Sequence, residues 1–527
     1  MTEQHQIDAE QAALLIERLV QFSRQRGMVE PMDESYVRNL LLDLFRFNAP
    51  HEGAIPVEQL DSPISVLEPL LDYAVQQGLI PDETTTQRDL FDARLMGLLV
   101  ARPSAIIAQF DQTEKNEGIE AATKQFYQLN MDSNYIQMGR IRKNQYWLHQ
   151  TSYGNLEITI NLSKPEKDPK EIALLKTMQP SHYPKCLLCE SNVGYAGRAD
   201  HPGRQNLRVL PLTLQGEQWH FQYSPYVYYN EHSIVFKGEH SPMRISHATF
   251  VRLLDFIDRM PHYFIGSNAD LPIVGGSILN HDHFQAGRHT FPMEEAPVEA
   301  AFTDVKSPGV RFGIVRWPLS VIRVIGKDRD AVLASANRIL DAWREYSDAA
   351  ADIYAYSDAA DGGRIPHNTI TPIARLRGGE YELDLVLRNN RTSEAHPDGI
   401  FHPHQELHHI KKENIGLIEV MGLAVLPGRL KAELDAIAAY LTGQRVWTGA
   451  EAKDEQFALR QHASWIEDLL TRYGNHLSSE EAADALRKET GDKFHAVLQD
   501  AGVYKTTDAG RKSFRQFFES LGMQMQT

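Results

Sequence analysis

Two short stretches of the chain hold residue types able to do chemistry. One is Gly275-Gly276-Ser277-Ile278-Leu279-Asn280-His281-Asp282-His283-Phe284-Gln285-Ala286-Gly287, in which two histidines and a glutamine recur at every second position behind a pair of glycines. On a strand, positions i and i+2 share a face, so His281, His283 and Gln285 would form a polar row on one side. A buried row of that kind is costly unless each member has a partner or a task. A neutral imidazole is a good nucleophile, and attack on phosphorus gives a reactive phosphoramidate. A glutamine beside it can donate its amide N–H to a phosphoryl oxygen but cannot act as an acid. That pairing suits a leaving group already stable as an anion, such as a sugar phosphate. The other use for the row is a hydrogen-bonded histidine pair at a sheet edge.

The second stretch is Cys186-Leu187-Leu188-Cys189. Its spacing lets two thiolates take two corners of a tetrahedral zinc, and histidines must supply the rest because no second CxxC exists. His232 and His240, in NEHSIVFKGEH, and His281 or His283 are the candidates. Two buried thiols or a redox pair are the alternatives, and no strand–CxxC–helix pattern favours the redox one.

The elements that must position these residues fall into three regions. Residues 1–125 read as helical: AALLIERLVQFSRQRG ends at Gly27, and DESYVRNLLLDLFRF sets Val37, Leu40, Leu41, Leu44 and Phe45 on one face behind Asp33 as N-cap. Residues 126–430 carry the strand patterns NLEITINLS, LRVLPLTL, WHFQYSPYVYY, HSIVFKG and YELDLVLRNN, with a helix at HATFVRLLDFIDRM. In the first of these, Leu156, Ile158, Ile160 and Leu162 alternate as in a half-buried strand. Residues 431–527 return to helix, with Ser478 and Glu481 as a capping box. The fold class is α+β, an antiparallel sheet core with helical N-terminal and C-terminal extensions.

Composition narrows the setting. The chain has 527 residues, a formal net charge of −16, and only the two cysteines of the CxxC. The acidic balance argues against a nucleic-acid partner, and any phosphate site must be locally basic. No apolar run approaches the ~20 residues that span a bilayer. The N-terminus has no basic and apolar signal pattern, and a cytoplasmic location is expected.

The motif His281-Asp282-His283-Phe284-Gln285 resembles the His-x-His-x-Gln signature of galactose-1-phosphate uridylyltransferases, a branch of the histidine-triad superfamily, in their long bacterial type. The likeness continues through YPKCLLCESNVGYAGR, HPGRQNLR, FQYSPYVYYNEH, PHNTITPIARLR, LRNNRTSE and PDGIFHPHQELHHIKKENIGLIEVMGLAVLP. It implies a histidine-triad-like core and transfer of UMP from UDP-glucose to galactose 1-phosphate, giving UDP-galactose and glucose 1-phosphate. It further implies His283 as the nucleophile that carries the uridylyl group and Gln285 as the amide holding a phosphoryl oxygen. A structural zinc on Cys186, Cys189, His240 and His281 also follows from the resemblance. Asp282 departs from the short type of the family, which has proline there. His402 and His404 are left as a histidine-rich loop without a metal.

Phosphate contacts are sought in Arg204, Asn206 and Arg208 of GRQNLR, in Lys164 and Lys167 of SKPEK, and in Asn268 of GSNAD, which resembles a phosphate- or ribose-facing asparagine of the family. Asn389-Asn390-Arg391 is a candidate sugar contact. Expected partners are UDP-glucose and galactose 1-phosphate, with no nucleic acid, no membrane and no organic cofactor; a homodimer is the oligomeric option. The rival activities are a histidine-triad nucleotide hydrolase and a uridylyltransferase using UTP or another hexose 1-phosphate. A zinc-stabilised binding module without activity is the third.

Overall fold

Hydrophobic periodicity and capping chemistry account for most of the elements. The structure, a computed structural model, describes residues 7–163, 181–359 and 361–526. Chain contacts divide it into two units, one of residues 1–143 and 163–241 and one of residues 144–162 and 242–527.

The first unit is mainly helical. It contains α1 (Ala9–Gln25), α2 (Glu34–Phe45), α3 (Ile64–Gln76), α4 (Thr85–Gly97), α5 (Pro103–Glu117), α6 (Ile119–Asp132) and the short α7 (Met138–Ile141). Asp8 and Gln11 form a capping box that starts α1. Gly27, at φ 67°, follows its end as the left-handed residue expected there. Asp33 precedes α2 as expected, yet its own backbone is helical and its side chain makes no capping bond. Ile16, Leu19, Leu41, Leu67, Leu70 and Leu95 are fully buried where α1–α4 pack together. Three antiparallel strands follow, β3 (Leu210–Leu214), β4 (Glu217–Tyr223) and β5 (Ser233–Lys237), in the order β3-β4-β5. The strand expected over WHFQYSPYVYY stops at Tyr223. Pro225 offers no N–H, and the chain turns so that Ser224 N–H reaches back to the His232 carbonyl.

The second unit has two sheets and a hairpin. In one sheet, β1 (Gln145–Thr151) pairs antiparallel with β2 (Gly154–Asn161), and β2 runs parallel to β15 (Leu423–Pro427). Leu156, Ile158 and Ile160 are fully buried, but Glu157, Thr159 and Asn161 are buried too. The expected half-buried strand is central and covered on both faces.

The other sheet is antiparallel, in the order β16-β8-β9-β10-β14-β13-β6-β7. Its strands are β6 (Phe264–Gly266), β7 (His283–Gly287), β8 (Val298–Thr303), β9 (Arg311–Val315), β10 (Val321–Gly326), β13 (Asn368–Arg377), β14 (Glu380–Asn389) and β16 (Gln524–Met525). The short β11 (Tyr356–Asp358) and β12 (Arg364–Pro366) form the hairpin. The helix expected at HATFVRLLDFIDRM is α8 (His247–Arg259). The others are α9 (Pro292–Glu295), α10 (Arg329–Glu345), α11 (Leu417–Val420), α12 (Arg429–Leu441), α13 (Ala463–Tyr473), α14 (Ser479–Ala501) and α15 (Asp508–Ser520). Ser478 and Glu481 form the expected capping box at α14, with bonds of 2.8 and 3.2 Å. The fold is α+β, with mainly antiparallel strand pairing and helical ends. Among the described residues no helix is long and apolar enough to cross a membrane.

Candidate active site

Strand β7 begins at His283, so His281 lies one bend ahead of it and not on it. The three-residue row expected on one strand is therefore a pair, His283 and Gln285, with His281 contributing differently. His283 Nδ1 lies 2.8 Å from the His281 carbonyl oxygen. A carbonyl only accepts, so Nδ1 carries the proton and Nε2 carries the lone pair. No hydrogen bond among the described residues engages Nε2. Burial pushes the His283 imidazole down to about 4, partly opposed by the bond to the carbonyl, so the ring is neutral around pH 7. Gln285 is half-buried two residues along, opposite Gly266 of β6.

The segment ahead of β7 is held from several sides. The Gly275 carbonyl accepts from Asn414 Nδ2 at 3.0 Å, and the Leu279 carbonyl from Met243 N–H at 2.9 Å. The two glycines answer a steric demand. A Cβ at Gly275 would sit 2.6 Å from the Ala269 carbonyl oxygen, and one at Gly276 2.6 Å from Asn268 Nδ2. Asp282, buried between the histidines, is held by Arg252 of α8 at 3.4 Å. Downstream, His289 Nε2 meets the Glu157 carboxylate at 2.9 and 3.1 Å. Neither Arg252 nor Glu157 carries a local sequence signal, since each is tied to the motif only through tertiary packing.

In the first unit, Cys186, Cys189 and His240 form a group able to hold a metal ion. The sulfurs are 3.5 Å apart and Cys189 Sγ is 3.2 Å from His240 Nδ1. Tetrahedral zinc with bonds of ~2.3 Å to sulfur and ~2.0 Å to nitrogen needs separations of about 3.5–3.8 Å, so the donor set fits with a slight expansion. Asn192 Nδ2 donates to the Cys186 and Cys189 carbonyls, both at 2.8 Å, and clamps the turn. That asparagine stands three residues beyond Cys189, a short-range spacing legible in the sequence. Burial pushes the Cys186 thiol up to about 11, so metal binding must release a proton. His232 is elsewhere engaged: its Nδ1 donates to the Tyr226 carbonyl at 2.6 Å and its ring packs on Tyr229.

The expected phosphate contacts separate into different environments. Arg204 and Asn206 line one cavity of the first unit, with the Arg204 guanidinium over the Tyr135 ring. Arg208 is buried and gives its N–H groups to the carbonyls of Ala101, Gln205, Leu207 and Val100. Burial lowers it to about 10. In the second unit, Asn268 Oδ1 accepts from Leu417 N–H at the start of α11, 2.8 Å away. Asn389 is a turn anchor, bonded to Tyr354, Asn368 and Arg391, while Asn390 Oδ1 bonds His367. Lys164 and Lys167 lie outside the described residues.

Residues 27–242 match the family described as Galactose-1-phosphate uridyl transferase, N-terminal domain, and residues 256–454 match its C-terminal domain. The galactose-1-phosphate uridylyltransferase of Caldanaerobacter subterraneus subsp. tengcongensis is 57% identical over 512 residues, covering 97% of this chain and 98% of that one. That of Halalkalibacterium halodurans is 52% identical over 513 residues, with 97% and 98% covered. That of Bacillus subtilis is 48% identical over 508 residues, with 96% and 97% covered.

Proposed function

Because the chain belongs to the galactose-1-phosphate uridylyltransferase family, we propose that His283 is the residue through which it transfers UMP. The activity is uridylyl transfer from UDP-glucose to galactose 1-phosphate, giving UDP-galactose and glucose 1-phosphate. In the first half-reaction the Nε2 lone pair of His283 attacks the α-phosphorus of UDP-glucose. The P–N bond forms, the P–O bond to glucose 1-phosphate breaks, and that product leaves as an anion without needing a proton. In the second, a phosphate oxygen of galactose 1-phosphate attacks the same phosphorus and the P–N bond breaks.

The supporting observation is the bond from His283 Nδ1–H to the His281 carbonyl. It sets the tautomer that leaves Nε2 nucleophilic. It also strengthens as the ring becomes cationic on bonding to phosphorus, which stabilises the intermediate. Gln285, two residues along β7, holds a phosphoryl oxygen with its amide N–H. Arg204 and Asn206 meet substrate phosphates, and Lys164 and Lys167 are further contacts. Arg208 supports the Arg204–Asn206 loop through its carbonyl bonds, and Asn268 supports the segment ahead of the nucleophile.

Zinc on Cys186, Cys189 and His240, with His281 as fourth ligand, is structural in this reading, since four protein ligands leave no open position. Cys186 and Cys189, not joined in a disulfide, suit a cytoplasmic setting. The test is incubation with UDP-glucose labelled in its uridine and no acceptor. Label should stay on the protein, acid-labile and base-stable, and be lost from His283→Ala. Label that never appears, or a His283→Ala variant with normal turnover, overturns the covalent route.

A further inference from the structure

The cavity lined by Arg204 and Asn206 holds two buried polar atoms that the described residues leave unsatisfied. Asp92 of α4 is 5% exposed and Tyr135, between α6 and α7, is 4% exposed. Asp92 Oδ2 accepts from Asn134 Nδ2 at 2.7 Å and from Gln137 Nε2 at 3.5 Å. Its Oδ1, and the Tyr135 hydroxyl, have no hydrogen-bond partner among the described residues. Both residues line the cavity, together with Arg204, Asn206 and Tyr226. Leaving two such groups buried and unpaired costs about 1–3 kcal/mol each, which a hydrogen-bonding ligand in the cavity would recover.

The cavity measures about 110 Å³, several times the ~10–15 Å³ that one water needs. The Arg204 guanidinium lies 5.4 Å from the centre of the Tyr135 ring, which sets its plane. Its charge is not cancelled by any carboxylate among the described residues, whereas the nearby Arg140 is paired with Asp89. Asn206 is fixed through Nδ2 on the Ser133 carbonyl, 3.0 Å away, which leaves its Oδ1 as a further acceptor. One cation without a carboxylate partner among the described residues thus lines the same cavity as a carboxyl oxygen, a phenol hydroxyl and an amide oxygen.

A hydroxyl group both donates and accepts, so it satisfies a carboxyl oxygen and a phenol alike, and a phosphate satisfies the guanidinium. We propose that this cavity binds a phosphorylated sugar, its hydroxyls on Asp92 Oδ1 and Tyr135 and its phosphate on Arg204. The assignment rests on the uridylyltransferase reading, and makes Asp92 and Tyr135 specificity residues for a substrate. Two portions of the substrates share this chemistry, the ribose phosphate of the nucleotide and the hexose 1-phosphate.

Calorimetric titration of the full-length protein distinguishes them, using UMP, galactose 1-phosphate, glucose 1-phosphate and inorganic phosphate one at a time. None of these turns over alone. Tyr135→Phe removes only a hydroxyl, and Asp92→Asn keeps the shape should the first variant misfold. Each should weaken binding of UMP, or else of the hexose 1-phosphates, about five- to tenfold, the loss of one hydrogen bond, and leave inorganic phosphate unchanged. Arg204→Ala should weaken all of them. Loss with UMP assigns the ribose side; loss with the hexose phosphates assigns the hexose side. Wild-type affinity in both conservative variants overturns the proposal, as does an equal loss for inorganic phosphate. A transfer assay on the same samples separates the two readings. Wild-type protein without transfer sinks the activity, while the titrations still decide the cavity.

Discussion

Gly276→Ala is the substitution whose cost the structure states most directly. A Cβ there would lie 2.6 Å from Asn268 Nδ2 and 2.8 Å from Asn268 Cγ, about 1 Å inside the ~3.5 Å optimum for non-bonded atoms. The end of a side chain usually swings away cheaply. Asn268 is only 6% exposed, and its Oδ1 accepts the Leu417 N–H at 2.8 Å. On its other flank, Gly416 approaches so closely that a Cβ there would be 3.0 Å from the same oxygen. Relief therefore means breaking the bond to Leu417 and leaving a buried N–H unpaired, at about 1–3 kcal/mol. Accepting the overlap costs a similar amount in strain. A loss of about 2 kcal/mol is expected, seen as a fall in Tm of roughly 2–3 °C.

The affected segment leads into His281 and His283, so kcat should fall on the order of ten- to a hundredfold, the scale of a ~1 Å misplacement. Asn268→Ala removes the colliding atoms and supplies the control. In that background Gly276→Ala should cost less than about 1 kcal/mol, a coupling that a double-mutant cycle reads. Unchanged Tm and kcat in Gly276→Ala, or costs that simply add in the double variant, would refute the steric argument.

Gln285→Ala should lower kcat by ~10²-fold or more, the effect of removing one preorganised donor, and an unchanged kcat would end its assigned role; Gln285→His tests whether UDP-sugar hydrolysis replaces transfer. Metal analysis of the purified protein should find about one zinc per chain, lost in Cys186→Ser/Cys189→Ser together with thermal stability; a metal-free, fully active protein would return the cysteines to plain buried thiols. Acid should destabilise the second unit through His409, whose ring faces His462 at 2.8 Å and which burial, His462, Lys493 and Arg429 push down to about 3. Its folded value lies below the ordinary ~6.5, so its contribution is complete above pH 6.5 and declines as pH falls toward 3, by about 2 kcal/mol at pH 5. Urea melts between pH 7 and 5 should show a shallower loss for His409→Asn than for the parent, and equal slopes would exclude His409 as the source.

Local pattern carried much of this protein. Helix periodicity marks α2 and α8, and end signals mark α1 and α14, because both act within a few residues along the chain. The chemistry of HDHFQ and CLLC is likewise written in residue types at short spacing. Burial is not local. The alternation of Leu156, Ile158 and Ile160 announces a strand, but only its neighbours on either side make β2 central and bury Glu157 with it. Where strand β7 begins, and hence that His281 offers its carbonyl to His283, depends on how the segment after Gly276 packs against Asn268 and Met243.

Partner choice was decided by tertiary structure for the same reason. By residue type alone His232 and His240 are equal candidates, and only the family resemblance favours His240; the fold commits His232 to the Tyr226 carbonyl and sets His240 beside Cys189. Arg204 and Arg208 read alike in GRQNLR, yet one faces a cavity while the other is consumed by four backbone carbonyls. Asp92 and Tyr135 are 43 positions apart in the sequence, and nothing around either marks it. Only chain closure brings a carboxyl and a phenol to one cavity wall, because hydrogen-bond partners are fixed by position in space and sequence spacing fixes only which neighbours share a face.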